Sequence, residues 1–206
     1  MPRVSEEYLE QRRREVLAAA RACFIRKGFH ATSMRDVVRE AELSAGAVYH
    51  YFPKKNDLVT AIARENLAAV ADTIELMMHR TPLPPLDQVI GEIFTVLQNH
   101  DDAMDVARLA LQVWGEAARS PELAVLVQAQ LSLIREAFTR LARGYRREER
   151  LAADVPAEAV GAAMMALLPG FFLQRVMLPD VTAQTLQSGL QAVLAPSLAQ
   201  ESGGMS

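Results

Sequence analysis

The chain has 206 residues, of which 50% are apolar, 23% charged and 6% aromatic, with 10 Gly and 10 Pro. This composition excludes disordered, collagen-like and low-complexity chains, and the length suits one large domain or a small domain joined to a larger one. The single cysteine, Cys23, excludes a disulfide framework and any zinc site built on two or four cysteines.

Met1 to Glu15 is charged and lacks an apolar run, so no secretory signal is expected there. The longest near-uncharged apolar run, residues 159–173, has 15 residues and contains Pro169 and Gly170. That is short of the ~20 residues of a spanning helix, so a soluble, cytoplasmic protein without a membrane partner is expected. The net charge of −3 is unevenly spread. Residues 1–60 hold 11 Lys and Arg against 8 Asp and Glu, and the remaining 146 hold 11 against 17. An excess of positive charge at one end is a pointer to an anionic partner there.

In chain order, nearly every segment reads as helix. Ala, Leu, Arg, Glu and Gln dominate, and apolar residues recur at three- and four-residue steps. A first helix is predicted over about 5–27, with Val16, Leu17, Ala20, Cys23 and Phe24 on its apolar stripe. Two short helices follow at about 34–41 and 45–51, then a long one at about 55–79. Five more are predicted near 86–99, 103–119, 122–149, 156–177 and 182–195. Lys27-Gly28, Leu43-Ser44, Phe52-Pro53, Thr81 to Pro85, Ser120-Pro121, Asp154 to Pro156 and Pro179-Asp180 punctuate them, and the tail after Pro196 is expected to fray. The fold expected is all-α, about nine helices: a three-helix head over residues 1–53 and a larger helical body over residues 54–206. No strands are expected.

The stretch from Thr32 to Phe52 carries the most information. Ser33 and Asp36 have the spacing of a capping box, which opens the second helix. Glu42-Leu43-Ser44 forms a tight break, with Leu43 apolar inside it and Ser44 placed to cap the third helix. That two-turn helix buries Val48 and Phe52 and carries Ala45, Gly46, Tyr49, His50 and Tyr51 on its other faces. Two short helices joined by a tight turn make the motif that lays its second helix in the major groove of DNA. Small residues at the helix start permit close approach, and the rings of Tyr49, His50 and Tyr51 end in hydrogen-bonding groups. Lys54 and Lys55 stand where a phosphate could be gripped.

On these residues the chain resembles the TetR (tetracycline-repressor) family of bacterial transcription regulators. The matching pattern is Val16-Leu17-x-Ala19-Ala20, Phe24, Lys27-Gly28-Phe29, Thr32-Ser33, Asp36-Val37, then Ala41-x-Leu43-Ser44-x-Gly46-x-Val48-Tyr49-x-Tyr51-Phe52, Lys55 and Leu58. It runs without a gap but covers only the first quarter of the chain. The resemblance implies backbone contacts from Thr32, Ser33, Tyr49, Tyr51 and Lys55, and base-edge approach by Ala45, Gly46 and His50. Arg35, Ser44 and Lys54 complete the candidate DNA-contacting set. Phe24, Phe29, Val37, Leu43, Val48 and Phe52 are expected in the core. Two positions depart from the family pattern: Glu42 stands where Gly is common, and Lys54 where Ser or Asn would cap the next helix.

The resemblance further implies a dimer on a palindromic DNA operator, released by a small apolar or amphipathic effector. Residues 159–168 are apolar nearly all round, and Leu186, Leu190, Val193 and Leu194 recur at helical spacing, so the segments at about 156–177 and 182–195 are the expected dimer surface. Met77, Phe94, Leu97, Arg108, Leu111, Trp114, Phe138, Met165, Leu168 and Phe172 are the candidate effector contacts, with Gln112 and Glu116 as further polar anchors. The helix at about 55–79 is the expected lever between body and head. No cofactor, metal or catalytic residue is expected, because His30, His50, His79 and His100 have no metal-ligand spacing and no phosphate loop or nucleophile elbow occurs. A helical interaction or adaptor protein, or an activator of the same fold, is the alternative.

Overall fold

The structure, a computed structural model, describes residues 6–99, 103–152, 154–178 and 180–194. The tail after Pro196, His100 and Pro179 lie outside them. Among the described residues there are nine helices and no strand: α1 (Glu6–Lys27), α2 (Met34–Ala41), α3 (Ala45–Tyr51), α4 (Lys55–Met78), α5 (Leu86–Gln98), α6 (Ala103–Ala117), α7 (Pro121–Arg147), α8 (Ala157–Met177) and α9 (Ala183–Leu194).

The chain's punctuation ends these helices for identifiable reasons. Gly28 closes α1 at φ 80°, a left-handed conformation that a side chain disfavours, and its N–H reaches the Phe24 carbonyl at 2.7 Å. Ser33 opens α2 with a complete capping box: its hydroxyl accepts from Asp36 N–H, and the Asp36 carboxylate accepts from Ser33 N–H at 2.9 Å. Glu42 ends α2 at φ 54° and ψ 27°, so the position where the family pattern has Gly is indeed left-handed. A non-glycine residue bears about 1 kcal/mol of strain there. Ser44 then caps α3 by accepting Ala47 N–H at 3.2 Å. Lys54 supplies no side-chain cap to α4. The Asp57 carboxylate instead accepts Lys54 N–H at 2.8 Å.

Two apolar cores result. One joins α1, α2 and α3 around Phe24, Val37, Val48 and Phe52, and draws in Leu58 to Ile62 of α4, Leu109 and Val113 of α6, and Leu123 of α7. The loop at residues 53–54 therefore does not end the head's core, which continues two turns into α4. The other core belongs to the body, around Ile90, Ile93, Phe94, Phe138, Leu141 and Phe171. There α7 packs along α8 and α4, and α5 along α9. At Gly161 the two long helices touch backbone to backbone: a Cβ there would lie 2.8 Å from the Thr139 nitrogen and collide with the Thr139 hydroxyl.

The proline-rich link from α4 to α5 is clamped to the end of α7. The Tyr145 hydroxyl donates to the Pro84 carbonyl at 2.8 Å, and Arg150 donates to the Leu83 carbonyl at 2.6 Å. Burial pushes the Tyr145 phenol up to about 12. Its folded value is raised, so this contribution to stability is intact below the ordinary value near 10 and is lost as pH rises toward 12. Tyr145→Phe is expected to cost about 1 kcal/mol at neutral pH, because the buried Pro84 carbonyl loses its donor. The variant should also show a shallower loss of stability between pH 10 and 12. Urea denaturation across that range measures both.

The 21-residue α8 corrects one expectation, since it is long and apolar enough to cross a membrane. The helix extends on both sides of the 15-residue run and continues through Pro169. Its packing is that of a core helix on one side: α6 and α7 pack along it, Met164, Leu168, Phe171 and Phe172 are buried, and the Phe171 ring stacks on Phe94 of α5.

Candidate DNA-reading head and effector cavity

The side of α3 that carries Val48 and Phe52 is sealed in the head, at 0% and 4% exposure. That anchoring turns Ser44, Ala45, Gly46, Tyr49 and His50 to the surface, with Tyr49 44% exposed. Tyr51 is half-buried, and the His50 ring stands edge-on to it at 5.3 Å. Ser33 and Arg35 on α2 are also exposed, and Arg35 makes no ion pair among the described residues. Exposed polar tips on a rigid two-turn helix, beside a free guanidinium, are what groove reading with phosphate contacts needs.

Three expected contacts are placed differently. Thr32 is 2% exposed, and its hydroxyl donates to the carbonyls of Gly28 at 2.8 Å and Cys23 at 3.2 Å. It ties the end of α1 to the start of α2 instead of facing outward. The Lys55 ammonium donates to the Phe29 carbonyl at 3.0 Å and lies 4.4 Å above the Phe29 ring. Partial burial holds its pKa below the ordinary lysine value, and the side chain braces the loop between α1 and α2. Lys54 is exposed, but pairs with Glu122 of α7 at 3.2 Å. Such a surface pair is weak enough to exchange for a phosphate.

In the body, a cavity of about 100 Å³ lies between α4, α6, α7 and α8. Of the expected effector contacts, Leu97, Trp114, Met165, Leu168 and Phe172 line it. The Trp114 and Phe172 rings lie 5.9 Å apart on its wall. The others do not. Met77, Phe94 and Phe138 are at most 3% exposed and fill the body core. Arg108 points to solvent beside Asp105, 3.4 Å away. Leu111 lines a separate, shallow cleft between α6 and the head.

The sequence reading missed the α4 wall, formed by Val59, Thr60, Ala63, Leu67 and Val70, and the α7 wall, formed by Val127, Gln130, Leu131 and Ile134. The α4 signal was present: Val59, Ala63 and Leu67 repeat every four residues beside the separate Leu58–Ile62 pair, so the helix has two apolar faces. Gln112 and Glu116, weighed as effector anchors, face the head. Gln112 Oε1 accepts Phe29 N–H at 2.8 Å, and Glu116 lies 4.0 Å from His30. One side of α6 thus walls the cavity while the other holds the head's loop.

Comparisons with known proteins agree with this architecture. Residues 16–62 match the pattern of bacterial regulatory proteins of the tetR family, and residues 84–199 match that of the C-terminal part of BetI-type transcriptional repressors. The HTH-type transcriptional repressor Rv1474c of Mycobacterium tuberculosis (strain ATCC 25618 / H37Rv) is 30% identical over 176 residues, 82% of this chain and 85% of that protein. Among solved structures, Salmonella enterica GusR has a TM-score of 0.75 at 23% identity, covering 94% of this chain and 99% of its own. The SmeT–triclosan complex has a TM-score of 0.73 at 20% identity, covering 89% of this chain and 91% of its own.

Proposed function

The chain belongs to the tetR family of bacterial regulatory proteins, and from that premise we propose that it represses transcription from an inverted-repeat operator until a small molecule enters its body. It is a DNA-binding regulator and not an enzyme. The observation that carries the reading is α3, held by Val48 and Phe52 while Gly46, Tyr49 and His50 face outward. Ser33 and Arg35 contact the backbone beside it, and Lys54 joins them when it leaves Glu122.

One head reads only a few base pairs, so two must act together. A second copy docks on α8 and α9. Ala159, Ala162, Ala163, Ala166, Leu173 and Met177 form an exposed apolar stripe on α8, and Val193, at 81% exposure, extends it on α9. An apolar stripe of this length needs a cover, and the same stripe on a two-fold mate supplies it. The complex works in the cytoplasm.

The effector occupies the cavity, as supported by the relative of the same fold in complex with triclosan. Ligand that favours one head spacing shifts the population toward it, and each 1.4 kcal/mol of differential binding moves DNA affinity about tenfold. Two helices link cavity to head. The lever α4 runs through both cores, and α6 acts through the bond from Gln112 to Phe29.

Selection of bound duplexes from a random pool tests the reading. The expected product is an inverted repeat, bound with an affinity that falls linearly in log salt with a slope of several units. Enrichment of no sequence, or binding indifferent to salt, would sink it.

A further inference from the structure

Beside the indole N–H of Trp114, which only donates, the cavity wall carries polar side chains at two places, Thr60 and Gln130, and no charged side chain lines it among the described residues. Thr60 is already engaged, since its hydroxyl donates to the Asn56 carbonyl at 2.8 Å. Gln130 differs. It is 8% exposed, it lies on the cavity wall in the first half of α7, and its amide makes no hydrogen bond among the described residues. The side chain is buried, yet its amide is not sealed off, and on the cavity wall that polar surface is open to an occupant that can complete it.

We infer that Gln130 is the polar reader of the effector site, and that the effector is a largely apolar molecule without an anionic group, carrying one hydroxyl or carbonyl for that amide. The inference deepens the proposed regulatory function and rests on it. An anion is excluded by the wall: a carboxylate entering this cavity would lose its water and meet no counter-charge. An amide both donates and accepts, so it serves a hydroxyl or a carbonyl equally. Size follows from the space. A cavity of about 100 Å³ holds a molecule of roughly ten heavy atoms, at the ~10–15 Å³ that one water-sized occupant takes. The indole of Trp114 and the ring of Phe172 favour a flat, aromatic body.

Three probes on one fused-ring body test this: 2-naphthol, naphthalene and 2-naphthoate, with 2-naphthamide as the uncharged control for the size of the carboxylate. Binding is read from the fluorescence of Trp114, the only tryptophan, and from calorimetry on the full chain. The wild type is expected to bind 2-naphthol saturably, naphthalene about tenfold more weakly, and 2-naphthoate at least about 100-fold more weakly. Gln130→Leu and Gln130→Met, each checked by thermal melting, should bind 2-naphthol about tenfold more weakly and naphthalene as well as before. A naphthoate affinity within tenfold of naphthol overturns the inference. So does an unchanged naphthol preference in a folded Gln130 variant, or the absence of saturable binding by all three probes. Operator binding measured on the same samples separates the two claims. If it persists while the cavity results fail, the reader role of Gln130 falls and the regulator stands. If it is absent in the wild type, the regulatory reading falls.

Discussion

Gly46→Glu is expected to weaken operator binding by about 100-fold or more while leaving the protein as stable as before, or more so. A Cβ built at Gly46 meets nothing within 4 Å, so the new side chain needs no space from the head. Replacing a helical glycine gains up to about 1 kcal/mol of propensity, and an acid in the first turn of a helix is favourable. In a chain of this size that raises the melting temperature by about 2–4 °C. On DNA the sign reverses. The carboxylate would be pressed into a groove walled by phosphates, and like charges brought together at an interface cost several kcal/mol. About 2.7 kcal/mol already corresponds to 100-fold. Gly46→Ala is the control, with affinity expected within about tenfold of wild type. Anisotropy titration with the selected operator, beside a melt followed by circular dichroism, gives both readouts. Binding by Gly46→Glu within threefold of wild type would mean that the start of α3 does not enter the duplex.

The second large effect lies in the body. Phe94→Ala is expected to cost about 3–5 kcal/mol of unfolding free energy. Phe94 and Phe171 are 1% and 2% exposed, and their rings stack at 4.3 Å with 14° between planes. Truncation removes the buried area and the ring pair together, and α5, α7 and α8 close on it from fixed positions. Total stabilities of ~5–15 kcal/mol leave little margin for such a loss. Trp114→Ala is the comparison. That side chain is half-buried and already borders open volume, so its loss should cost clearly less while changing the cavity itself. Urea midpoints for the two variants decide the matter. A cost for Phe94→Ala below about 1 kcal/mol would return Phe94 to the cavity wall.

The contrast between Phe94 and Trp114 also shows where reading residues in order stops working. Both are aromatic, both sit mid-helix, and both were expected to touch an effector. Nothing local separates them, because the difference lies in which neighbouring helix closes over each ring. Lys55 teaches the same lesson. A cation at the start of α4 has the right type and place for a phosphate. The carbonyls of Phe29 and His30, some 25 residues away in sequence, hold it instead. Gln112 was legible as a polar residue among apolar ones, but not as a bond between body and head.

What could be read directly were features set within a few residues: the nine helices of the described residues and, to within two or three positions, their ends, the Ser33 and Ser44 caps, the strained turn at Glu42, and the outward face of α3. Each depends on backbone hydrogen bonds and side chains no more than four positions apart, so neighbouring letters carry the physics. The cavity, its unpartnered Gln130 and the α6 link depend on how α4, α6, α7 and α8 approach one another. Those distances arise from packing side chains far apart in the chain, including the backbone contact at Gly161, and folding alone brings them together.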